Sequence, residues 1–377
     1  HLSLRRQRQM CIRDSLYLIS AIGCAFAPEP YTFSFFRFVG GLGVGISSIA
    51  APTYISEISS PKNRGTLGTL YQFNIVFGIV VAYLSNFLLK GVGGADDWRY
   101  MMGAVAVPSV AYIILMFGVP ESPRWLFSHK KDEQKALEVL KKTEAEHEAL
   151  ATLADIKTDF LANVQNTDGL FSKRYKFPLI LAFLIATFNQ LSGINFILYY
   201  APEILEKAGF ASSESLLSSI AIGIVNLLFT FLGMYLIDRA GRKQLMYWGS
   251  YGYIISLFMV AYGFYSGASA AFNLTFILLF IASHAIGQGA VIWVFISEIF
   301  PNKVRAAGQA FGSSVHWVFA ALVTLFGAIL INAFEPWQVF GLFGFLMVLQ
   351  LLFVFKMMPE TKGKSLEELE KELTSNE

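Results

Sequence analysis

The run Gln190-Leu191-Ser192-Gly193-Ile194-Asn195-Phe196-Ile197-Leu198-Tyr199-Tyr200-Ala201-Pro202 sets two amides, two phenols, a glycine and a proline inside one long apolar stretch. Amides are costly in hydrocarbon, so they should face a bundle interior or an aqueous cavity. Gly193 and Pro202 allow a bent or broken helix, as found around binding sites inside membranes. Neutral donors and acceptors beside aromatic rings suit an uncharged, polyhydroxylated ligand. Plain hydrogen bonding between helices is the simpler use, but needs only one or two such residues. Other apolar stretches carry single polar groups: Gln72, Asn74, Asn226, Gln288 and His316. His316 sits mid-stretch with no carboxylate beside it; it is a proton-relay candidate, although such a histidine more often serves as a hydrogen-bond donor. Trp293 and Trp317 lie deep rather than at an interface, which favours packing over a membrane belt. Arg37, six residues into its stretch, needs a partner: a backbone group, or an acid outside the visible helices.

A second constellation is charged and occurs twice. Ser56-Glu57-Ile58 leads to Arg64, and Ser297-Glu298-Ile299 leads to Arg305, each carboxylate seven positions before its arginine. Glu57 to Glu298 and Arg64 to Arg305 are both intervals of 241 positions. Pro120-Glu121-Ser122 and Pro359-Glu360-Thr361 nearly keep that period. One such box would be an ordinary capping loop. Two at a fixed period point to a shared mechanical role, in which carboxylates and arginines pair in one state and part in another. Pro120-Glu121-Ser122-Pro123-Arg124 and Pro359-Glu360-Thr361-Lys362-Gly363 read as the same device.

The elements that hold these groups follow from composition. Hydrophobic residues make up 55% of the chain, with 35 Phe, and charged residues only 15%, against roughly 25% in soluble domains. Apolar runs recur at 31–53, 66–89, 98–119, 178–202, 216–237, 244–265, 272–297, 310–331 and 336–358, with a short one at 16–29. Some 22 residues of helix span about 33 Å, a bilayer core. The expected class is an all-α membrane protein. Positive charge collects in alternate loops: Lys62 and Arg64, Arg124 through Lys176, Arg239 to Lys243, Lys303 and Arg305, and Lys356 through Lys371. That places those loops and the C-terminus in the cytoplasm. The net charge of +2 gives no reason to expect nucleic acid, and Cys11 and Cys24 suggest no disulfide framework. Gly40-Gly41-Leu42-Gly43-Val44-Gly45 lies within an apolar run with no strand before it, so close helix packing explains it better than a dinucleotide loop. No zinc spacing, nucleophile elbow or Walker loop occurs, and an enzyme is not expected.

The period also predicts a numbering of helices. Asp238-Arg239-Ala240-Gly241-Arg242-Lys243 lies between the second and third spans of the C-terminal half. Its counterpart would fall at the very start of the chain. The expectation is two six-helix bundles with the first two helices missing and about 10 transmembrane helices present. Segment 1–15 is set aside, because Gln9-Met10-Cys11-Ile12-Arg13-Asp14-Ser15 matches the translation of a sequencing adapter. The domains expected are 16–128, the N-terminal bundle remnant (helices 3–6); 129–175, a cytoplasmic helical linker; 176–358, the C-terminal bundle (helices 7–12); and 359–377, a cytoplasmic tail. In the linker, Ala136, Leu137 and Leu140, then Leu150, Leu153, Ile156 and Phe160, recur at helix spacing, and Glu138 and Lys142 form an i,i+4 pair. The linker reads as a helical clasp rather than a solvated tether.

Together these patterns resemble the sugar porter family of the major facilitator superfamily. Arg37-Phe-Val-Gly-Gly, Glu57…Arg64-Gly65, Pro120-Glu-Ser-Pro-Arg124, Gln190-Leu-Ser-Gly-Ile-Asn195 with Tyr199-Tyr200, Asp238-Arg-Ala-Gly-Arg242-Lys243, Gly287…Trp293, Glu298…Arg305 and Pro359-Glu-Thr-Lys-Gly363 carry the resemblance. It implies the major facilitator fold, two pseudo-symmetric bundles rocking about a mid-membrane site. It implies sugar contacts at Gln72, Gln190, Asn195, Asn226, Trp293 and Trp317, and an extracellular gate at Tyr199 and Tyr200. It implies a cytoplasmic charge network of Glu57, Arg64, Glu121, Arg124, Asp238, Arg239, Arg242, Glu298, Arg305 and Glu360. Three departures stand out: Asn189 in place of a second Gln, His316 in place of Asn or Gln, and Ala285 in place of a Glu. Asn189 and His316 join the candidate sugar contacts. Arg37 matches the arginine that works with a first-helix aspartate in proton-coupled members, so symport and uniport both stay open. The expected function is transport of a hexose or pentose by alternating access in the inner membrane, by a multi-pass monomer without cofactor or metal. A non-transporting sugar sensor on the same scaffold is the rival.

Overall fold

The computed structural model describes residues 6–58, 64–142, 145–163, 169–301, 304–364 and 366–374, and among these there is helix but no strand. The chain divides into two compact units, His1–Ile75 with Ser85–Thr167, and Val76–Leu84 with Asp168–Glu377.

The first unit holds α1 (Arg6–Phe26), α2 (Pro30–Ile58), most of α3 (Arg64–Leu89), α4 (Asp97–Ala104), α5 (Ala106–Met116), α6 (Glu133–Leu140) and α7 (Glu146–Asn163). The segment set aside above is helical from Arg6 onward. Its Arg13 and Asp14 are buried and paired, with the Arg13 guanidinium 5.0 Å from the Tyr112 ring. α1 packs along α2 at small residues: a side chain added at Gly40 would collide with Ser20, and one at Gly23 with Phe36. The linker forms a small core of its own from Leu126, Ala136, Val139, Leu140, Ala149, Leu153 and Ile156. Two expectations for it change. Leu150 points outward and Ala149 takes the buried position, which keeps Ala149, Leu153 and Ile156 on one face. Among the described residues Glu138 and Lys142 do not pair with each other; Lys141 reaches Glu146 and Lys157 reaches Glu133, so the charges join α6 to α7 instead of stapling one turn. Phe160 lies outside the described side chains.

The second unit holds α8 (Lys176–Leu191), α9 (Ile194–Tyr199), α10 (Ala201–Lys207), α11 (Ser212–Ala240), α12 (Arg242–Ser266), α13 (Ala270–His284), α14 (Ala290–Glu298), α15 (Arg305–Ala333), α16 (Pro336–Lys356) and the short α17 (Leu366–Thr374). Two interlocked cores fill it, one around Ile185, Phe295, Phe300 and Val354, the other around Phe196, Tyr253, Phe280 and Phe340. Phe231, Leu232, Phe345, Leu352 and Phe355 point outward, the coat expected of helices whose solvent is lipid. Between lipid-facing helices packing replaces hydrophobic drive, so backbones must approach closely. Gly249 and Gly287 meet with the added Cβ of either within 3 Å of the other's Cα.

Among the described residues, seven stretches are long and apolar enough to cross a membrane: Gln72–Leu89, Gly94–Met116, Lys173–Tyr199, Ser212–Ala240, Ala270–Glu298, Arg305–Ala333 and Pro336–Lys356. The expected spans 31–53 and 244–265 are helical, and 16–29 is helical up to Phe26, but none is among the seven. Tyrosines 247, 251, 253, 262 and 265, with interspersed Gly and Ser, dilute the hydropathy of 244–265.

Candidate functional site

The amide-bearing run is broken where its sequence permits. α8 ends at Leu191, Gly193 takes φ +81°, and α9 resumes at Ile194. A side chain at Gly193 would meet the Phe343 ring at 2.7 Å, so both backbone and space require glycine there. Ser192 repairs the break: its Oγ donates to the Asn189 carbonyl at 2.6 Å and accepts from Ile194 N. A second break at Tyr200 precedes α10, with Pro202 in its first turn.

This interruption presents all the candidate sugar contacts of the second unit except Asn226 together. Gln190 Nε2 donates to Asn189 Oδ1 at 2.9 Å, and Asn195 Nδ2 donates to Gln190 Oε1 at 2.7 Å. Gln190 Nε2 also lies 3.2 Å from both ring nitrogens of His316, on α15. The Trp293 ring sits 5.0 Å from the His316 ring, and Trp317 lies edge-on to it at 5.4 Å. Asn189 and Gln190 are nearly fully buried, whereas Trp317 is 37% exposed. The result is a row of amide and imidazole groups with indoles alongside. Asn226 is buried on α11 and is not bonded to that row. Gln72 belongs to the other unit, where its Oε1 is buried without a hydrogen-bond partner among the described residues.

Of the expected gate tyrosines, Tyr200 donates to the Thr324 carbonyl at 3.1 Å while Tyr199 is 58% exposed. Sequence reasoning missed Tyr83, whose hydroxyl donates to the Leu198 carbonyl within the second unit.

At the other end of this unit the charged residues converge. Arg242 forks onto Glu298, Nη2 to Oε1 at 2.6 Å and Nε to Oε2 at 3.0 Å, and reaches Asp238 Oδ1 at 3.2 Å. Thr361 Oγ1 donates to Glu298 Oε2 at 2.6 Å, a partner the sequence reading did not single out. Glu360 accepts from the backbone N–H of Arg242 and of Lys243, each at 3.0 Å. Its carboxylate therefore caps the N-terminus of α12 from another helix's end, where the dipole favours an anion. Gly241 (φ +95°) makes room, since a Cβ there would stand 2.7 Å from Glu360 Oε2. Arg305 donates to the Phe300 carbonyl, and Arg239 lies over the Tyr235 ring at 3.9 Å. In the first unit Glu121 pairs with Lys130 at 2.9 Å. Arg124 is half-buried and Arg37 exposed. The side chains of Glu57 and Arg64 lie outside the described residues.

A family model described as "Sugar (and other) transporter" matches residues 3–373. The D-xylose-proton symporter of Escherichia coli K12 is 33% identical over 97% of this chain and 80% of its own length. The glucose transporter GlcP of Staphylococcus epidermidis is 34% identical over 98% and 83%. Among solved structures, the inward-open xylose transporter XylE from E. coli superposes with a TM-score of 0.83 at 31% identity, covering 98% of this chain and 83% of that one. The proton:xylose symporter of the major facilitator superfamily bound to 6-bromo-6-deoxy-D-glucose gives 0.81, also at 31%. With a broken amide-bearing helix, a converging cluster of charged residues and relatives matched over nearly its whole length, the chain belongs to the sugar transporter family of the major facilitator superfamily.

Proposed function

We propose that the chain moves a monosaccharide, a pentose or hexose, across the inner membrane by alternating access. The row Asn189, Gln190, Asn195 and His316 beside Trp293 and Trp317 carries the reading. Neutral amides both donate and accept, matching hydroxyls that do the same. Indole faces cover the apolar C–H surface of a sugar ring. Gln72 and Asn226 complete the proposed set of contacts. Turnover requires that sugar bind the alternative states with similar affinity, which spread-out neutral hydrogen bonding allows. Relatives named for xylose, arabinose and glucose support the substrate class, and those named proton symporters support coupling to protons.

The finer reading is two pseudo-symmetric bundles with about ten membrane helices in this chain, supported by the 241-residue period of Glu57…Arg64 and Glu298…Arg305. Tyr199 and Tyr200 are the proposed outer gate. Asp238, Arg239, Arg242, Glu298, Arg305 and Glu360, with Glu57, Arg64, Glu121 and Arg124, form the proposed latch on the cytoplasmic side, and Arg37 is a further proposed gating residue. The bilayer is the remaining partner, and a monomer suffices.

Uptake of radiolabelled xylose and glucose by cells lacking other sugar carriers tests the site. Gln190→Ala and Trp293→Ala should each abolish uptake at unchanged membrane abundance. Normal uptake by both variants would sink the assignment.

A further inference from the structure

The helix face that α13 and α14 turn into the second unit is apolar at Ile277, Phe280, Ile281, Val291 and Phe295, all at most 1% exposed. Two polar side chains interrupt it, His284 at 6% and Gln288 at 0% exposure. His284 precedes, and Gln288 lies within, the widened π-helical turn Ala285–Gly289 that joins α13 to α14, a feature that recurs at functional sites. His284 Nδ1 and both polar atoms of Gln288 have no hydrogen-bond partner among the described residues. Nearby, Tyr253 Oη donates to Gln350 Oε1 at 2.7 Å and lies 3.1 Å from Ser250 Oγ, whereas Gln288 has neither of its polar atoms paired among the described residues.

An amide buried without partners costs several kcal/mol, more so at membrane depth. Polar cavities in proteins are satisfied by internal water, which takes two to four hydrogen bonds, while apolar ones stay dry. Residues four apart on a helix have Cβ atoms about 5–6 Å apart, a gap that one water can bridge. We infer that His284 and Gln288 form an internal water site, in which a bound water joins the Gln288 amide to His284 Nδ1. The site is distinct from the sugar row: neither residue bonds to Asn189, Gln190 or Asn195. It is nonetheless near, since the His284 ring lies within electrostatic reach of His316, which touches Gln190. Ring contacts from His284 to Phe280 and from Phe280 to Tyr253 seal its other side.

Brief X-ray irradiation of the purified chain in detergent tests this, because hydroxyl radicals form from bound water and label the side chains it touches. Mass spectrometry should find His284 labelled despite its burial. Gln288→Leu, similar in size but without a polar atom to hold water, should lower that labelling severalfold while leaving exposed Tyr262 unchanged. An unlabelled His284 in the unaltered protein, with Tyr262 labelled normally, overturns the inference whether or not the variant folds. So does a Gln288→Leu protein that keeps full labelling at His284.

Discussion

Arg242 shows how one residue's surroundings decide what it is worth. Its guanidinium side chain is 11% exposed and forks onto Glu298, itself 21% exposed. Removing one member of such a pair strands the other, which costs far more than the net value of the contact. Glu298→Ala should therefore destabilise the protein by about 2 kcal/mol. Lys130→Ala removes a single contact to Glu121 from a lysine whose side chain is 33% exposed, and should cost less than about 1 kcal/mol. Unfolding in mixed micelles compares the two, and equal losses would mean that the Arg242 fork is not under tension from burial. Glu360 illustrates what residue types alone leave hidden. Its repeat with Glu121 made it look like a second charged latch. Yet Glu360 caps the backbone of α12 while Glu121 meets a lysine side chain. A sequence pattern registers that a carboxylate recurs, not whether a side chain or a helix end receives it.

At the scale of elements, legibility followed how strongly local chemistry constrained the backbone. The break at Gly193 was readable because glycine, serine and two amides stand together in an apolar run. The π-helical turn at Ala285–Gly289 was not, because Gly287, Gln288 and Gly289 sit in an otherwise unbroken apolar run and nothing in their residue types marks a widened turn. Gln288 attracted attention as a polar residue in a span; His284 did not, although it shares the same buried face. In the linker the helices were visible in the periodicity, but not which face would turn inward, since Ala149 and Leu150 are both apolar and only packing chooses between them. The start of α6 lends itself to a pH test. Asp132 accepts from the backbone N–H of Lys135, and that bond, with the Lys135 charge, holds its carboxyl below the usual carboxylate range. A depressed carboxyl stabilises the fold above its unfolded value, and the gain is lost as pH falls through the lower folded value. Hydrogen exchange of Glu133–Leu140, corrected for its intrinsic pH dependence, should lose protection below about pH 4. Asp132→Asn keeps the acceptor but cannot titrate, so it should remove that step; an identical loss in both proteins would rule out the cap as its cause.

The whole molecule adds a constraint that no single residue carries, namely which end of each helix faces the cytoplasm. In the second unit the turns at one end hold Arg239, Arg242, Lys243, Arg305 and the tail from Lys356, while the turns Gly209–Ala211 and Gly267–Ser269 carry no charge at all. Positive residues near helix ends are retained on the cytoplasmic side during insertion. The latch proposed from Asp238, Arg242, Glu298 and Glu360 is therefore expected inside, and the loops after α10 and α12 outside. Cys24 is buried and unpaired, so a background with both native cysteines replaced by serine should retain its packing and allow single probes. Ala211→Cys should react with a membrane-impermeant maleimide in intact spheroplasts. Lys364→Cys, in the exposed segment after α16, should react only once the membrane is opened. Labelling of Lys364→Cys in sealed cells would invert the orientation. It would move the arginine fork to the outer face and leave the positive charge of these turns without its explanation.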